Sequence, residues 1–451
     1  MPPFVVRPSR LHFFNCSGIV QAGRLHHKTG AGRFYFGFRI SNSEFENRYP
    51  AEVTKLNTLS PGFDWRAAEI DWPVTSDVGA GLAGVVAAET RVMWLDPSSG
   101  QLAYRGVPVD SLANRADFEE VAHLLITGKG AGEDPRGLAD FRRQVRSSRG
   151  LPREVIELIR ELDPDTHPTR MLRAGVSAVG CHELTVDDDL SGERQWRELR
   201  VVGQTAALVG AICRHRAGRE PRDPEPGCSL AEGVLAALND RPPTADEARA
   251  LDLLWVLSAA HGFDPPTFTS MIVASCLADP YYNIVAGLSA LRGPKTGGAA
   301  ETVLDQLLPL RDPIEAEAWV ANTLAEGGII AGFGHHAYRM PDPRVVVLRK
   351  EVAMLARAHD RRELFEVART VELVATAALA PRGVHINVNF YGALLFHLLG
   401  ADPPLVPCLI AVGRMAGTAA LVREALDGIR LYRPLSRYVG VGERRLDSEA
   451  N

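Results

Sequence analysis

Residues 248–260 carry apolar side chains around most of the circumference of a helix, so that helix has no face it can leave to water. Other elements must enclose it on all sides, which only a chain with a large core can do. Its start is marked by Thr244-Ala245-Asp246-Glu247, a capping box. Its stop is predicted at Gly262, ahead of Pro265-Pro266, which leaves His261 as the last helical residue. A histidine at a helix C-terminus is favoured as the cation, and a cation there suits an anionic ligand.

The enclosing elements are also helical. Phe118, Val121, Ala122, Leu124 and Leu125 recur at the spacing of one helix face. A further run over 267–291 is interrupted at Asp279-Pro280 and ends at Gly293-Pro294, and helices fit 300–310, 312–326, 343–358, 361–380, 390–400 and 405–427. Strand alternation is confined to 91–95 and 101–104, joined by a turn over 96–100. The class is all-α. With 451 residues the chain has room for two or three domains; it carries no internal repeat, and Asp187-Asp188-Asp189 reads as a solvated loop.

A formal charge of −5 argues against nucleic acid or an anionic membrane as the main partner, so small acidic ligands would need a local basic pocket. No window of 18 consecutive apolar residues points to a membrane span. The six cysteines lack C-x-x-C or metal-ligand spacing, which fits free thiols in a reducing, cytoplasmic setting. Residues 1–75 differ from the rest: the first acidic residue is Glu44, and Arg7, Arg10, Arg24, Lys28, Arg33 and Arg39 precede it. Such a start suits a transit peptide, a disordered extension or an upstream start codon.

Three segments combine glycine, histidine and arginine as a pure core would not. Gly293-Pro294-Lys295-Thr296-Gly297-Gly298 opens a helix and could turn its amides to an anion, or be a plain turn. Residues 332–344 set His335 and His336 in a glycine-permitted turn, with Asp342-Pro343-Arg344 opening the next helix. Arg414 sits inside an apolar helical run, where an unpaired guanidinium is costly; it needs an anionic partner, either protein or ligand.

From about residue 89 to 440 the chain resembles bacterial-type citrate synthases and 2-methylcitrate synthases. The resemblance rests on Gly100-Gln101-Leu102-Ala103-Tyr104-Arg105-Gly106, His167-Pro168 with Met171-Leu172-Arg173, His261, Gly293-Pro294 with Gly297-Gly298 and Glu301, the 332–344 segment, and Asn387-Val388 before Phe390-Tyr391. It implies a two-domain, all-α dimer: a large domain of 76–292 plus 390–440, a small domain of 293–389, and a tail of 441–451. It implies that His261 and His335 hold the keto group of oxaloacetate or a similar 2-oxo dicarboxylate, and that Arg344, Arg414 and Arg433 clamp carboxylates, the last from the partner subunit. Arg339 resembles a coenzyme A phosphate contact. The co-substrate is a coenzyme A thioester, the reaction a Claisen condensation, and no permanently bound cofactor or metal is required.

Two positions depart from the family. Thr296 stands where a histidine hydrogen-bonds the thioester oxygen, and Asn389 where an aspartate takes the methyl proton. An amide is no base. Ser258, Gly262, His336 and His385 also replace family-typical residues. One reading is an acyltransferase with a modified mechanism, using His336 or His385 as base or a malonyl-type donor that needs none. The other is a catalytically inactive, carboxylate-binding regulatory protein, or a subunit that pairs with an active paralogue through Arg433.

Overall fold

The computed structural model describes residues 80–82, 85–183, 194–428 and 431–434. The chain divides into 1–67 and 68–451, and all described residues lie in the second unit. The expectations for the N-terminal extension (1–75), the Asp187-Asp188-Asp189 loop and the tail lie outside the described residues.

A small antiparallel sheet comes first: β1 (Met93–Leu95), β2 (Leu102–Tyr104) and β3 (Val107–Pro108), in that order, with Met93 opposite Tyr104 and Leu95 opposite Leu102. The described helices follow: α1 (Val109–Arg115), α2 (Phe118–Thr127), α3 (Pro135–Ser147), α4 (Arg153–Glu161), α5 (Pro168–His182), α6 (Arg194–Arg216), α7 (Leu230–Asn239) and α8 (Ala245–Ser258). Then come α9 (Pro265–Ser275), α10 (Pro280–Leu291), α11 (Gly298–Leu307), α12 (Pro313–Ala325), α13 (Arg344–Ala358), α14 (Arg362–Leu379), α15 (Val388–Leu398) and α16 (Val406–Asp427). The described residues thus form an all-α fold with one small sheet, as the sequence led us to expect.

Helix α8 lies in the core, as its apolar circumference requires. Trp255 is fully buried, and its indole N–H donates to the Leu409 carbonyl of α16 at 2.8 Å, so its one polar atom is satisfied. The expected capping box is present: Thr244 and Glu247 exchange side chain-to-amide hydrogen bonds. A second capping box, Ser229 with Glu232, opens α7.

Helix α16 packs against α2, α6, α8 and α9. With the turn before it, over Pro403–Asp427, it is long and apolar enough to cross a bilayer, but 89% of its apolar window is buried inside the protein. Its apolar faces are therefore covered by other helices. Helix α9 pairs with α10, α12 with α14, and α13 with α15, while α11 contacts both α15 and α16.

Candidate functional site

The site is built on the C-terminal end of α8. This helix ends at Ser258, three residues earlier than the sequence suggested, because distant segments take its last carbonyls. The Tyr104 hydroxyl donates to the carbonyls of Val256 and Ala260, both at 3.1 Å, and accepts the Ala260 amide at 3.1 Å. Arg344 Nη1 reaches the Leu257 carbonyl at 3.4 Å, and Arg414 Nη1 the Ser258 carbonyl at 3.2 Å. Two guanidinium groups thus meet the negative end of the α8 dipole. Arg414 gets there because α16 comes very close: a Cβ on Gly417 would collide with the Ala259 carbonyl.

Beyond that end the chain turns at Gly262, whose φ of 70° a side chain would disfavour. His261 is held against His335, their ring centroids 5.0 Å apart, and its Nε2 lies 3.2 Å from the Tyr338 hydroxyl. Burial, reinforced by Arg344, His335 and Arg414, pushes the His261 pKa well below the usual histidine value. The expected imidazolium is therefore corrected: in this setting His261 is neutral, since burial and two nearby guanidinium groups outweigh the favourable helix end.

His335 has a defined tautomer. Its Nδ1 accepts the amides of Ala337 at 2.9 Å and Tyr338 at 3.0 Å, so the proton of the neutral ring sits on Nε2. Burial, then Arg344, lowers its pKa to about 4, so the ring is neutral at pH 7. The Tyr338 phenol, 2% exposed, is raised to about 12 by burial and stays protonated. The histidine turn is fastened to the start of α15. Phe333 bridges Ile386, Gly334 donates to the His385 carbonyl at 2.7 Å, and Asn387 donates from its amide to the Gly332 carbonyl and from Nδ2 to the Gly334 carbonyl. Gly332 must be glycine, because a Cβ would lie 2.8 Å from the Phe390 side chain.

Both pocket arginines already have carboxylate partners. Arg344 is gripped by Asp342 through Nε to Oδ1 at 2.9 Å and Nη2 to Oδ2 at 2.7 Å. Burial disfavours both charges, but their attraction wins: Asp342 is held below the ordinary aspartate range and Arg344 above the ordinary arginine value. Arg414 pairs through Nη2 with Asp264 Oδ2. Burial lowers Arg414 to about 10, which leaves it cationic at neutral pH. Asp342, Asp264, Tyr338 and Tyr104 were not singled out from the sequence. Asp342-Pro343 read there only as a helix opening, and Asp264 had no reading of its own.

Thr296 is half-buried and spends its hydroxyl on the end of α10: Oγ1 is 2.8–2.9 Å from the carbonyls of Ala290, Leu291 and Gly293. Its single proton is shared among backbone acceptors. Asn389 is half-buried; its amide donates to Asn387 Oδ1 at 2.9 Å, and its side chain has no partner among the described residues. His336, Arg339 and Arg433 are exposed, and His385 is half-buried. Behind the Thr296 loop, His167 Nε2 lies 3.3 Å from Glu301, which also pairs with Arg292 at 3.6 Å. Among the described residues no three His, Cys, Asp or Glu side chains gather to hold a metal ion.

The arrangement can present one neutral Nε2–H donor from His335, a second imidazole and a protonated phenol to a polar ligand. These groups sit beside two guanidinium groups whose charges are matched.

Comparison with known proteins bears on the family and the fold. A family model described as citrate synthase, C-terminal domain, matches residues 81–435. The chain is 30% identical over 370 residues to a citrate synthase of Saccharolobus solfataricus, covering 81% of this chain and 97% of the relative. It is 32% identical over 385 residues to 2-methylcitrate synthase 2 of Corynebacterium glutamicum, covering 82% and 97%. Among solved structures, the ternary complex of carboxymethyl coenzyme A and oxaloacetate with the citrate synthase of Thermoplasma acidophilum superposes with a TM-score of 0.78 at 27% identity, covering 82% of this chain and 98% of that one. With the family model matching residues 81–435 and relatives of 30–32% identity covering more than four fifths of its length, this chain belongs to the citrate synthase family.

Proposed function

We propose that the protein is an acyltransferase that condenses a coenzyme A thioester with a 2-oxo acid by a modified citrate synthase mechanism. Its relatives are citrate and 2-methylcitrate synthases, and the archaeal structure carries carboxymethyl coenzyme A and oxaloacetate. The observation that carries the reading is His335, neutral and with Nδ1 fixed by two backbone amides, which aims an Nε2–H donor beside His261 and Tyr338. Such a donor polarises the acceptor carbonyl and stabilises the alkoxide that forms on attack.

The donor half works without the family's aspartate and histidine. Asn389 offers an amide without basicity, and the Thr296 hydroxyl is engaged by backbone carbonyls. A malonyl-type thioester fits this half: its carboxylate leaves as carbon dioxide, the electron pair of the broken bond forms the enolate, and that carbon attacks the acceptor carbonyl. Hydrolysis of the joined thioester then releases coenzyme A. An acetyl donor would need a substitute base, for which His336 and His385 are the candidates. In this reading 293–389 form a small domain that closes over the ligands, and Arg339 meets the coenzyme A phosphates. The protein works as a homodimer in which Arg433 enters the partner's site.

Release of coenzyme A by the purified chain should require a 2-oxo acid, and His335→Ala should lower it by about 10²–10⁴-fold, the usual contribution of a positioned proton donor. Equal rates in wild type and variant would remove His335 from the reaction. The second reading, a non-catalytic subunit beside an active paralogue, is favoured by the same Asn389 and Thr296 observations. It requires that the homogeneous chain release no coenzyme A with any donor.

A further inference from the structure

Retained arginines in the sequence point to a dicarboxylate acceptor, but the side chains around them point elsewhere. Arg344 is held in a two-bond grip by Asp342, and Arg414 is paired with Asp264. His261 and His335 add no charge. The four charged groups this chain places at the end of α8 therefore sum to zero, so in the proposed dimer the partner's Arg433 is left as the unmatched positive charge, enough for one acceptor carboxylate rather than two.

Asp264 is not free to swing away. It is the N-cap of α9, and its Oδ1 accepts the Thr267 amide at 3.0 Å while Oδ2 faces Arg414. Pro265 and Pro266 follow it directly, which stiffens the backbone that carries the carboxylate. The 261–264 turn links His261 to Asp264, so one short segment supplies both a polar ring and a fixed negative charge to the pocket.

Building on the reading that this pocket binds a 2-oxo acid, we infer that Asp264 is a specificity-determining residue that occupies Arg414 in place of a substrate carboxylate and restricts the acceptor to 2-oxo monocarboxylates. A second carboxylate on the acceptor would meet Asp264 at the guanidinium it seeks. A hydrogen or alkyl group at that position meets no such repulsion. Discrimination then comes from a repulsive element built into the pocket as much as from any attractive contact.

The test is calorimetric binding of pyruvate and oxaloacetate to the full chain and to Asp264→Asn, with Asp264→Ser as a second variant. Asparagine and serine both form N-caps, so α9 keeps its start, and a thermal melt of each variant checks that it does. The wild type should bind pyruvate more tightly than oxaloacetate, and Asp264→Asn should shift the ratio of the two dissociation constants toward oxaloacetate by about tenfold or more, as removal of a like charge facing a ligand does. Binding of both acids with the ratio unchanged in both folded variants would overturn the role of Asp264 alone. Binding of neither acid to any of the proteins would overturn this assignment together with the reading on which it rests.

Discussion

The Asp342 carboxylate receives two side-chain hydrogen bonds from Arg344, at 2.9 and 2.7 Å, and also accepts the Val388 amide at 3.1 Å. One residue thus ties the guanidinium at the end of α8, the histidine turn and the start of α15 into a single unit. Both partners are almost fully buried, at 1% for Asp342 and 5% for Arg344.

Removing one charge of that pair leaves the other buried and uncompensated. Asp342→Asn should therefore destabilise the protein by about 3–5 kcal/mol, measured by urea unfolding at pH 7. A loss below about 0.5 kcal/mol, the size of a surface substitution, would show that the pair is solvated or dispensable.

Tyr104 fixes the end of α8 through one hydroxyl that serves two carbonyls and one amide while fully buried. Tyr104→Phe keeps the ring but strands the Ala260 amide. It should cost about 1–3 kcal/mol of stability and also weaken 2-oxo acid binding, because His261 follows Ala260 directly. Full affinity in a destabilised variant would separate the two effects and confine Tyr104 to the fold.

His335 carries a pH signature with a definite sign. Its folded pKa of about 4 lies below the ordinary value of 6.5, so unfolding takes up a proton between those limits. Its contribution to stability is complete above pH 6.5 and is lost as the pH falls toward 4. Asp252 runs the other way: burial, then Asp117, raises it to about 7, so it favours the folded state as the pH falls. The difference between wild type and His335→Asn isolates the histidine. Between pH 6.5 and 4 the variant's stability should fall less steeply with falling pH, by up to about 1.4 kcal/mol per pH unit. Parallel pH profiles for the two proteins would contradict a neutral, buried His335.

Much of this architecture was legible in the sequence because it is written in local signals. The Thr244–Glu247 capping box, the break at Asp279-Pro280 and the apolar circumference of α8 each depend on residues close in the chain, and each appears where expected. The true end of α8 was not legible: Tyr104, Arg344 and Arg414, from three distant segments, take its last carbonyls. The partner of Arg414 was left open between protein and ligand, since Asp264 lies 150 positions away in the chain and nothing local links the two. The charge of His261 was misjudged for the same reason: helix position favours the cation, while burial and the neighbouring guanidinium groups arise only from tertiary packing.

The most direct measurement is coenzyme A release by the purified chain given a 2-oxo acid with acetyl-, propionyl- or malonyl-coenzyme A, beside an Asn389→Asp variant, with products weighed by mass spectrometry. Expected are turnover by the wild type with malonyl-coenzyme A, a product whose mass joins acceptor and donor with carbon dioxide lost, and a gain with acetyl-coenzyme A on restoring the carboxylate at 389. No coenzyme A release from any donor by the wild type, even where the variant turns over, would contradict an enzymatic role and leave the chain as a carboxylate-binding or partner subunit.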